Sequence, residues 1–406
     1  MSAASTPTTS FSSTTTTTTS PTSTESTGRT TSIPHRRESV KHEVKTNLNA
    51  IVTETKDGER CLNNYILKEV IGHGAYGTVN LATDKDTGTN YAIKEFSKAR
   101  LRKKDKSNAY RRSRGAWRGG RRGAPMPPPK DNVDTSNPLY LIRVEVAILK
   151  KLNHPNVVKL YEVMDDPNND SLYMVFEMCE KGVLMDINIR KKSTPFQEDK
   201  LRQYFRDMIL GFEYLHENDI VHRDIKPDNL LLSKDDVLKI VDFGVSEIFV
   251  KGNDKTKKSA GSPAFMAPEL CQVQHGEVSG KATDLWSMGV TLYCMTFGYL
   301  PFEKDNLIDL YVSIKEDTLV IPPETDADLA DLLTKLLDKD PNTRITMAQL
   351  RMDAVRRFKR GSRHHATPSD LTALKNLGLT EDQQQINHEK GETTAVSNNA
   401  NNPNLV

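Results

Sequence analysis

His222-Arg-Asp-Ile-Lys-Pro-Asp-Asn229 is the stretch that decides the fold and the chemistry of this chain. It holds a carboxylate at Asp224, an ammonium at Lys226 and an amide at Asn229 within one short loop. Thirteen residues after Asn229 follows the triplet Asp242-Phe-Gly244. A carboxylate can take a proton from a hydroxyl, and carboxylate and amide oxygens are ligands that Mg²⁺ prefers. The loop and the triplet at this spacing together predict a site for phosphoryl transfer to a hydroxyl group.

The composition is typical of a soluble protein, with 36% hydrophobic and 27% charged residues. No apolar run approaches the roughly 20 residues that a membrane-spanning helix needs. The first residues are Ser and Thr rather than a basic and then an apolar segment, so we expect no secretory signal. We expect reduced cysteines in a protein of the cytoplasm, or also of the nucleus, because the four thiols have no metal-ligand spacing. These thiols are Cys61, Cys179, Cys271 and Cys294.

Both ends of the chain are polar. Residues 1–60 contain Ser and Thr runs such as Thr14–Thr19 and few apolar residues. Such a segment cannot bury enough surface to offset its ordering entropy, so residues 1–60 are predicted to be a disordered tail. Its hydroxyls are either phosphorylation sites or part of a solubilising tail, and we favour the second interpretation. Residues 361–406 are predicted to be a disordered tail as well.

A basic block interrupts the chain between these tails. Residues 98–138 carry 13 Lys and Arg against three Asp, although the whole chain has a net charge of only +2. A block this basic indicates solvated disorder or an acidic partner. Only Tyr110 and Trp117 interleave its arginines, so we expect no nucleic acid partner. We interpret the block as an Arg- and Pro-rich insertion in one domain that spans residues 65–358.

A glycine-rich loop opens this domain. Strand Tyr65–Ile71 is predicted to lead into Gly72-His-Gly-Ala-Tyr-Gly-Thr-Val79. Glycines let the backbone fold tightly over phosphates and offer its N–H groups to their oxygens. A dinucleotide-binding turn has the same glycine spacing but opens a helix, whereas Thr78–Leu81 favours a strand. We therefore assign to the ATP site Ile71, Gly72, Gly74, Gly77 and Val79.

A lysine and a glutamate are predicted to form an ion pair behind this loop. Tyr91-Ala-Ile-Lys94 places Lys94 within an aromatic and β-branched strand. A surface lysine is the commoner fate, but beside a glycine loop Lys94 is predicted to meet the α- and β-phosphates. Such a lysine needs a carboxylate from a nearby helix. Residues 139–152 are predicted to be a mostly buried helix, and Glu145 is its only acid.

The remaining pattern predicts two lobes of different class. Val157–Val163 and Leu172–Glu177 complete about five strands, which with the helix of Glu145 make a small lobe. A helix is predicted to begin at Thr194, and Asp284–Phe297 is apolar on nearly all sides, as for a helix in the centre of a lobe. The predicted fold class is therefore α+β, a two-lobed fold with a small five-stranded β lobe and a larger, mainly helical lobe.

Residues from about 65 to 350 resemble a eukaryotic serine/threonine protein kinase domain, and more closely the calcium/calmodulin-dependent protein kinase kinase family of fungal type. The closer resemblance is carried by Glu145–Lys159, Leu172–Glu177, Asp242–Ser246 and Gly261–Glu269. It implies ATP and Mg²⁺ as cofactors, with Asp224 and Lys226 as catalytic residues and Asn229 and Asp242 as metal ligands. It also assigns to the ATP site Ala92, Lys94, Glu145, Glu177, Cys179 and Leu231.

The resemblance also implies the substrates. Lys226 and the segment Gly261-Ser-Pro-Ala-Phe265 favour Ser/Thr over Tyr as the acceptor. The implied substrates are other kinases, of the calmodulin-dependent or the AMP-activated/sucrose-nonfermenting type, modified on an activation-loop threonine. In that family the basic insertion is implicated in recognising substrate kinases. Two alternatives remain, a pseudokinase scaffold and an adaptor that docks acidic partners through the insertion. The intact catalytic set argues against the first.

The segment between Gly244 and Glu269 corresponds to an activation loop. Its hydroxyl residues include Thr256, Ser259 and Ser262. Arg223 is expected to receive a phosphate from this loop, although nearby lysines offer local partners instead. The sequence leaves open whether phosphorylation controls activity. Three residues are assigned structural roles, and the first and last of them are predicted to form an ion pair: Glu269, Asp284 and Arg344.

Two positions depart from the family pattern. The family has threonine where Ser262 stands, and the domain does not close with the family's His-Pro-Trp-like element and calmodulin-binding helix. Leu350–Gly361 is either a weak calmodulin target or a final helix with a solvated basic face. We favour the second interpretation. Calmodulin is therefore a less favoured partner than the substrate kinases.

Overall fold

The two-lobed α+β architecture expected from the sequence is present in the computed structural model of the chain. The structure describes residues 43–56, 58–74, 77–99, 140–165, 170–257, 259–272 and 275–353. The predicted tail over residues 361–406 and nearly all of the basic insertion lie outside the described residues. No helix within the described ranges is long and apolar enough to cross a membrane.

The first lobe is built on an eight-stranded sheet in the order β1-β7-β8-β6-β5-β4-β3-β2. All its strand pairs are antiparallel except β1 with β7. Helix α1 spans Tyr140–Leu149. The strands are β1 (Lys45–Asn47), β2 (Val52–Glu54), β3 (Arg60–Leu62), β4 (Tyr65–Gly74), β5 (Gly77–Asp84), β6 (Asn90–Ser97), β7 (Leu160–Asp165) and β8 (Ser171–Glu177).

The structure corrects the predicted boundary of the N-terminal tail. Strands β1, β2 and β3 fall within or next to residues 43–60, which the sequence analysis assigned to disorder. Composition misleads here because the segment gains order from backbone pairing at both edges of the sheet, through β1 on β7 and β3 on β4. Cys61 and Leu62 are fully buried. Residues 1–42 of that prediction lie outside the described residues.

The other five strands match the prediction with one shift. Residues Val157–Val163 were expected to be a strand, but β7 begins at Leu160. Val157 instead forms an isolated bridge with Ile240 of the helical lobe. Its side chain belongs to the same buried cluster as residues of both lobes, so this segment connects the sheet to the helices.

The second lobe is mainly helical. Its helices are α2 (Glu198–Glu217), α3 (Gly280–Phe297), α4 (Leu307–Glu316) and α5 (Ala327–Leu336). Residues 347–353 are helical too. Short strands carry the loops of the site: β9 (Gly182–Val183), β10 (Ile220–Val221), β11 (Leu230–Leu232), β12 (Leu238–Ile240), β13 (Glu247–Ile248), β14 (Lys255–Thr256) and β15 (Val278–Ser279).

Helix α3 is the centre of this lobe. Fourteen of its residues are buried, which agrees with its apolar sequence. The hydroxyl of Ser279 caps its first turn by accepting the backbone N–H of Ala282 at 3.2 Å. Helix α2 buries one stripe against it, with Met208, Phe212 and Leu215 fully covered. Helix α3 contacts the loop that follows β10 through Asp284, which accepts backbone N–H groups of this loop.

Candidate active site

The predicted pair of Lys94 and Glu145 is formed. Strand β6 and helix α1 bring Nζ of Lys94 to 3.1 Å from Oε1 of Glu145 and 3.6 Å from Oδ1 of Asp242. Burial disfavours the charge on Lys94, but the two carboxylates outweigh burial and raise its pKa. Burial also disfavours the charge on Asp242, yet Lys94 and the N–H of Gly244 hold the pKa of Asp242 below its usual value. The ammonium therefore stays charged, whereas burial raises the pKa of its partner Glu145 above the usual value.

The glycine-rich loop is the turn between β4 and β5. Val79 of β5 lies opposite Gly72 on one side and Lys94 on the other. A Cβ atom added at Gly77 would stand 1.6 Å from the carbonyl oxygen of Glu95, so only glycine lets β5 approach β6 this closely. Residues 75 and 76 lie outside the described residues. The described part of the loop thus stands beside the lysine that was predicted to meet phosphates.

The remaining residues assigned to the ATP site come from four segments. Ala92 stands in β6 opposite Phe176, and Leu231 stands in β11 opposite Val183. Cys179 is buried, and burial raises the pKa of its thiol to about 12. The carboxylate of Glu177 is used elsewhere, because it accepts the N–H of Lys159 at 2.7 Å and pairs with Lys239 at 2.8 Å. A contact of Glu177 with a nucleotide would therefore be made by its backbone rather than by its carboxylate.

In the loop His222–Asn229, which we call the catalytic loop, the carboxylate of Asp224 contacts three other predicted residues, Lys226, Asn229 and Ser262. Asn229 donates from Nδ2 to Oδ2 of Asp224 at 3.0 Å and to its carbonyl oxygen at 2.8 Å. Nζ of Lys226 lies 3.6 Å from Oδ2 of Asp224. Ser262 donates to Oδ1 of Asp224 from both its backbone N–H and its hydroxyl, each at 2.8 Å. Lys226 also donates to the hydroxyl of Ser262 at 2.9 Å.

Asp284 of α3 anchors this loop to the core. Its Oδ2 accepts the backbone N–H of His222 at 3.0 Å and lies 2.9 Å from Nε2 of His216, while its Oδ1 accepts the N–H of Arg223 at 2.9 Å. Asp284 is only 1% exposed. A buried carboxylate that receives several hydrogen bonds can hold a short loop in one arrangement. The structural role assigned to Asp284 stays a prediction.

Two of the six non-glycine residues with positive φ in the described part of the chain belong to this site. Arg223 and Asp242 adopt φ values of 68° and 62°, which side chains other than glycine rarely adopt. Such positions are typical of functional sites, where the surrounding contacts hold them. Gly261, with φ 112°, packs against this loop, and a Cβ there would stand 2.5 Å from the carbonyl oxygen of Arg223. Gly261 was noted in the sequence only as the start of a segment typical of Ser/Thr kinases, and neither the contact of His216 nor the positive φ of Arg223 was predicted.

The activation-loop hydroxyls lie in three different environments. Thr256 is buried and donates to Oε2 of Glu247 at 3.1 Å. Ser259 is exposed and lies 2.7 Å from Nε2 of His275. Ser262 contacts Asp224. Arg223, which was expected to receive a phosphate, instead binds Glu247 at 2.9 Å and the carbonyl oxygen of Val245 at 2.6 Å. Arg223 as a phosphate receptor stays a prediction, and in this structure its guanidinium is paired with a carboxylate of the chain.

The predicted clasp of Glu269 and Arg344 is also formed. Arg344 donates from Nη1 and Nη2 to the two carboxylate oxygens at 2.8 and 2.9 Å. Arg344 also donates to the carbonyl oxygens of Asp338 and Ala282. Its side chain is fully covered. The bidentate pair connects the end of the activation segment to the loop after α5, and the bond to Ala282 connects that loop to the start of α3.

Comparison with known proteins shows which family the chain belongs to. A family model described as protein kinase domain matches residues 129–354, more than half of the chain. The chain belongs to the protein kinase family. Within that family it is 46% identical over 334 residues to a calcium/calmodulin-dependent protein kinase kinase of Emericella nidulans, an alignment that covers 78% of this chain.

Two further protein kinases show how broad the likeness is. A calcium/calmodulin-dependent protein kinase kinase of Caenorhabditis elegans is 43% identical over 72% of this chain, and a serine/threonine-protein kinase of Schizosaccharomyces pombe is 37% identical over 80% of it. The alignments cover 63% of the Emericella protein, 52% of the worm protein and 92% of the yeast protein. The chain therefore spans about half to two thirds of the first two. The predicted resemblance to the kinase kinase family is confirmed.

Proposed function

We propose that this chain is an ATP-dependent serine/threonine protein kinase. The observation that carries the proposal is the contact of Asp224, Lys226 and Ser262, which places a proton-accepting carboxylate 3.6 Å from a phosphate-binding ammonium. The ion pair of Lys94 with Glu145 supports ATP as the phosphoryl donor, because it holds a charged lysine beside the glycine-rich loop. The relatives' names, which are those of serine/threonine kinases, support the acceptor class.

The donor set fits Mg²⁺. Asn229 uses Nδ2 to bind Asp224, which leaves its Oδ1 available to a cation, and Asp242 is ionised with a half-exposed side chain. In the described part of the chain, His, Cys, Asp and Glu form no cluster of three that could hold a metal by itself. This agrees with Mg²⁺, which is usually bound by one or two carboxylates together with substrate phosphates. The ion would neutralise charge on those phosphates.

The chain's own residues then divide the work of the reaction. Oδ1 of Asp224 already accepts two hydrogen bonds from Ser262, whereas Oδ2 accepts one, from Asn229. Oδ2 keeps a free lone pair and is therefore the oxygen that takes or orients the proton of the substrate hydroxyl. Lys226, held by Ser262, offsets charge on the phosphate that is transferred. Lys94 fixes the phosphates that remain. Each group is preorganised by contacts within the chain, so binding of substrate needs little rearrangement.

We further propose that the substrates are other kinases, modified on an activation-loop threonine. The names of the Emericella and Caenorhabditis relatives support this class. The basic insertion is proposed to bind the substrate kinase, and the cytoplasm, or also the nucleus, stays the predicted location. A calmodulin target at residues 350–361 remains a prediction, and most of that segment lies outside the described residues.

One incubation tests both levels of the proposal. The purified chain is mixed with Mg-ATP and a catalytically inactive calmodulin-dependent kinase, and the phosphorylated residues are mapped by mass spectrometry. We expect phosphate on the activation-loop threonine and none after chelation with EDTA. No transfer to any hydroxyl would contradict the kinase proposal. Transfer only to residues outside the activation loop would contradict the proposed substrate class.

A second experiment tests the insertion. We expect deletion of residues 100–137 to leave phosphorylation of a short activation-loop peptide unchanged and to raise KM for the folded substrate kinase. Equal loss on both substrates would contradict a docking role. The pseudokinase alternative finds no support in these comparisons, and transfer of phosphate would exclude it.

A further inference from the structure

Arg223 carries a buried positive charge next to the catalytic carboxylate. Its side chain is 11% exposed, and Nη1 lies 2.9 Å from Oε2 of Glu247. Nε and Nη2 both donate to the carbonyl oxygen of Val245. Burial lowers the pKa of Arg223, and the carboxylate of Glu247 opposes that shift. The charge is therefore compensated within the chain.

The same carboxylate reaches the activation segment. Oε2 of Glu247 accepts the hydroxyl of Thr256 at 3.1 Å, and Thr256 is 5% exposed. Glu247 stands in β13 opposite Val221, the residue before the catalytic loop. Thr256 stands in β14, which pairs with β15 at the start of α3. The side chain of Glu247 thus connects Arg223 with two strands of the activation loop, β13 and β14.

The position of Arg223 decides that of Asp224. The two residues are adjacent, and Arg223 has φ 68°, a conformation that neighbouring contacts must hold. Asp284 holds its backbone N–H, and Gly261 packs against its carbonyl oxygen. Glu247 holds its guanidinium. A change at Glu247 is therefore transmitted to the catalytic carboxylate through Arg223, and Glu247 is a positioning residue.

We propose that Glu247 is a built-in anion that holds Arg223 and the activation segment in place, so that phosphotransfer requires no phosphate on this segment. This rests on the proposed kinase function. Of the other activation-loop hydroxyls, that of Ser262 is engaged with Asp224 and Lys226. Ser246 donates to the carbonyl oxygen of His222 at 3.2 Å, and the exposed Ser259 lies 2.7 Å from Nε2 of His275, away from Arg223 and Glu247 in its hydrogen bonding. A phosphate on Thr256 would face the carboxylate of Glu247 and repel it. Phosphorylation at Thr256 would therefore lower activity rather than raise it.

The first arm of the test removes all phosphate. The purified full chain is treated with a broad protein phosphatase, its loss of phosphate is verified by mass spectrometry, and initial rates on a kinase activation-loop peptide are measured with Mg-ATP. We expect kcat within about twofold of the untreated chain. Loss of activity upon dephosphorylation would overturn the inference and leave the kinase function standing, whereas inactivity before treatment would count against the kinase function itself.

The second arm tests Glu247 with matched variants. We expect Glu247→Gln to lower kcat at least about tenfold with little change in KM for ATP, as for loss of a charge-assisted hydrogen bond to a positioning group. Glu247→Asp should recover part of kcat. The control is Glu277→Gln, which removes an exposed pair with Lys257 of the same segment and should change kcat less than twofold. Equal effects of the two Gln variants would overturn the inference.

Thr256 supplies a third arm that avoids a folding defect. We expect Thr256→Val to retain at least about a third of kcat, because it removes one hydrogen bond and keeps the buried shape. Thr256→Glu should lose most of it, because a second carboxylate would stand beside Glu247. The reverse order, with the Glu variant more active than the Val variant, would show that the segment needs added negative charge and would refute the proposal.

Discussion

Nζ of Lys94 lies 3.1 Å from Oε1 of Glu145, although 51 positions of the chain separate the two residues. The contact joins strand β6 to helix α1 across the whole basic insertion. It connects the helix to the sheet on the strand next to the glycine-rich loop. The ion pair therefore forms only when helix α1 is packed against the sheet of the first lobe.

Removing either partner should stop catalysis without unfolding the chain. We expect Lys94→Met and Glu145→Gln each to lower kcat at least about a hundredfold, since the first removes the ammonium at the phosphates and the second removes the carboxylate that holds this ammonium in place. The double variant should be little worse than Lys94→Met alone, because the two residues act as one unit. Steady-state rates with Mg-ATP measure this. The control Lys68→Met changes an exposed lysine of β4 and should stay near the parent rate.

The pair of Glu269 and Arg344 is expected to contribute to stability rather than to chemistry. Glu269→Gln leaves a fully covered guanidinium without its carboxylate and should lower the free energy of unfolding by about 3–5 kcal/mol. The exposed pair of Glu198 and Arg202 offers a control, since Glu198→Gln should change that free energy by less than about 1 kcal/mol. Urea denaturation measures both. Equal losses would contradict the clasp.

Gly261 is expected to tolerate no side chain. Gly261→Ala combines a φ of 112° with a Cβ that would stand 2.5 Å from the carbonyl oxygen of Arg223. We expect a loss of about 1–3 kcal/mol in unfolding free energy from the strain, and a lower kcat because Arg223 and Asp224 must shift. Gly276→Ala is the control, because an added Cβ there would meet nothing within 4 Å. If both variants keep the parent rate, the packing of Gly261 does not position the loop.

The stability of the fold should fall with acid partly through His154. Burial, assisted by Lys239, lowers the pKa of this imidazole to about 4, below the roughly 6.5 of an unfolded histidine. Its contribution is thus fully present above pH 6.5 and is lost as the pH falls towards 4. Protonation would also remove the acceptor Nδ1, which binds the N–H of Asn156 at 3.1 Å.

The corresponding variant isolates this contribution. Between pH 7 and pH 5, His154→Gln should lose about 1 kcal/mol less unfolding free energy than the parent chain, allowing for partial exposure of the ring. Denaturation at the two pH values measures the difference. His73→Gln, at an exposed position, should follow the parent. A parent-like pH dependence of His154→Gln would contradict the assigned pKa.

Much of the site could be predicted because its chemistry is local in the sequence. Asp224, Lys226 and Asn229 share one loop, and their spacing alone brings them together. The partners Glu145 and Arg344 are distant in the chain, yet each was predicted by residue type. Glu145 is the only acid on an apolar helix, and Arg344 was expected to pair with Glu269. A buried charge is costly unless it is paired, so a charged residue within an apolar segment predicts an ion pair.

The rest depended on backbone geometry that residue types do not reveal. Strands β1 to β3 are ordered by pairing with sheet edges, which a polar composition conceals. Glu247 resembles any surface acid in the sequence, and only the packing of β13 beside the catalytic loop shows that it binds Arg223. The role of Gly261 became visible only from its positive φ and from the close carbonyl oxygen of Arg223 in the structure. Contacts across distant segments are therefore what the sequence alone left open.

The central claim is that Asp224 receives the proton of a hydroxyl to which phosphate is transferred. The most direct measurement compares the parent chain with Asp224→Asn and with Asp235→Asn, an exposed control in the turn after β11, on an inactive substrate kinase with Mg-ATP. We predict phosphate on the activation-loop threonine with the parent and with Asp235→Asn, and a rate at least about a hundredfold lower with Asp224→Asn. Equal transfer by Asp224→Asn would contradict the account.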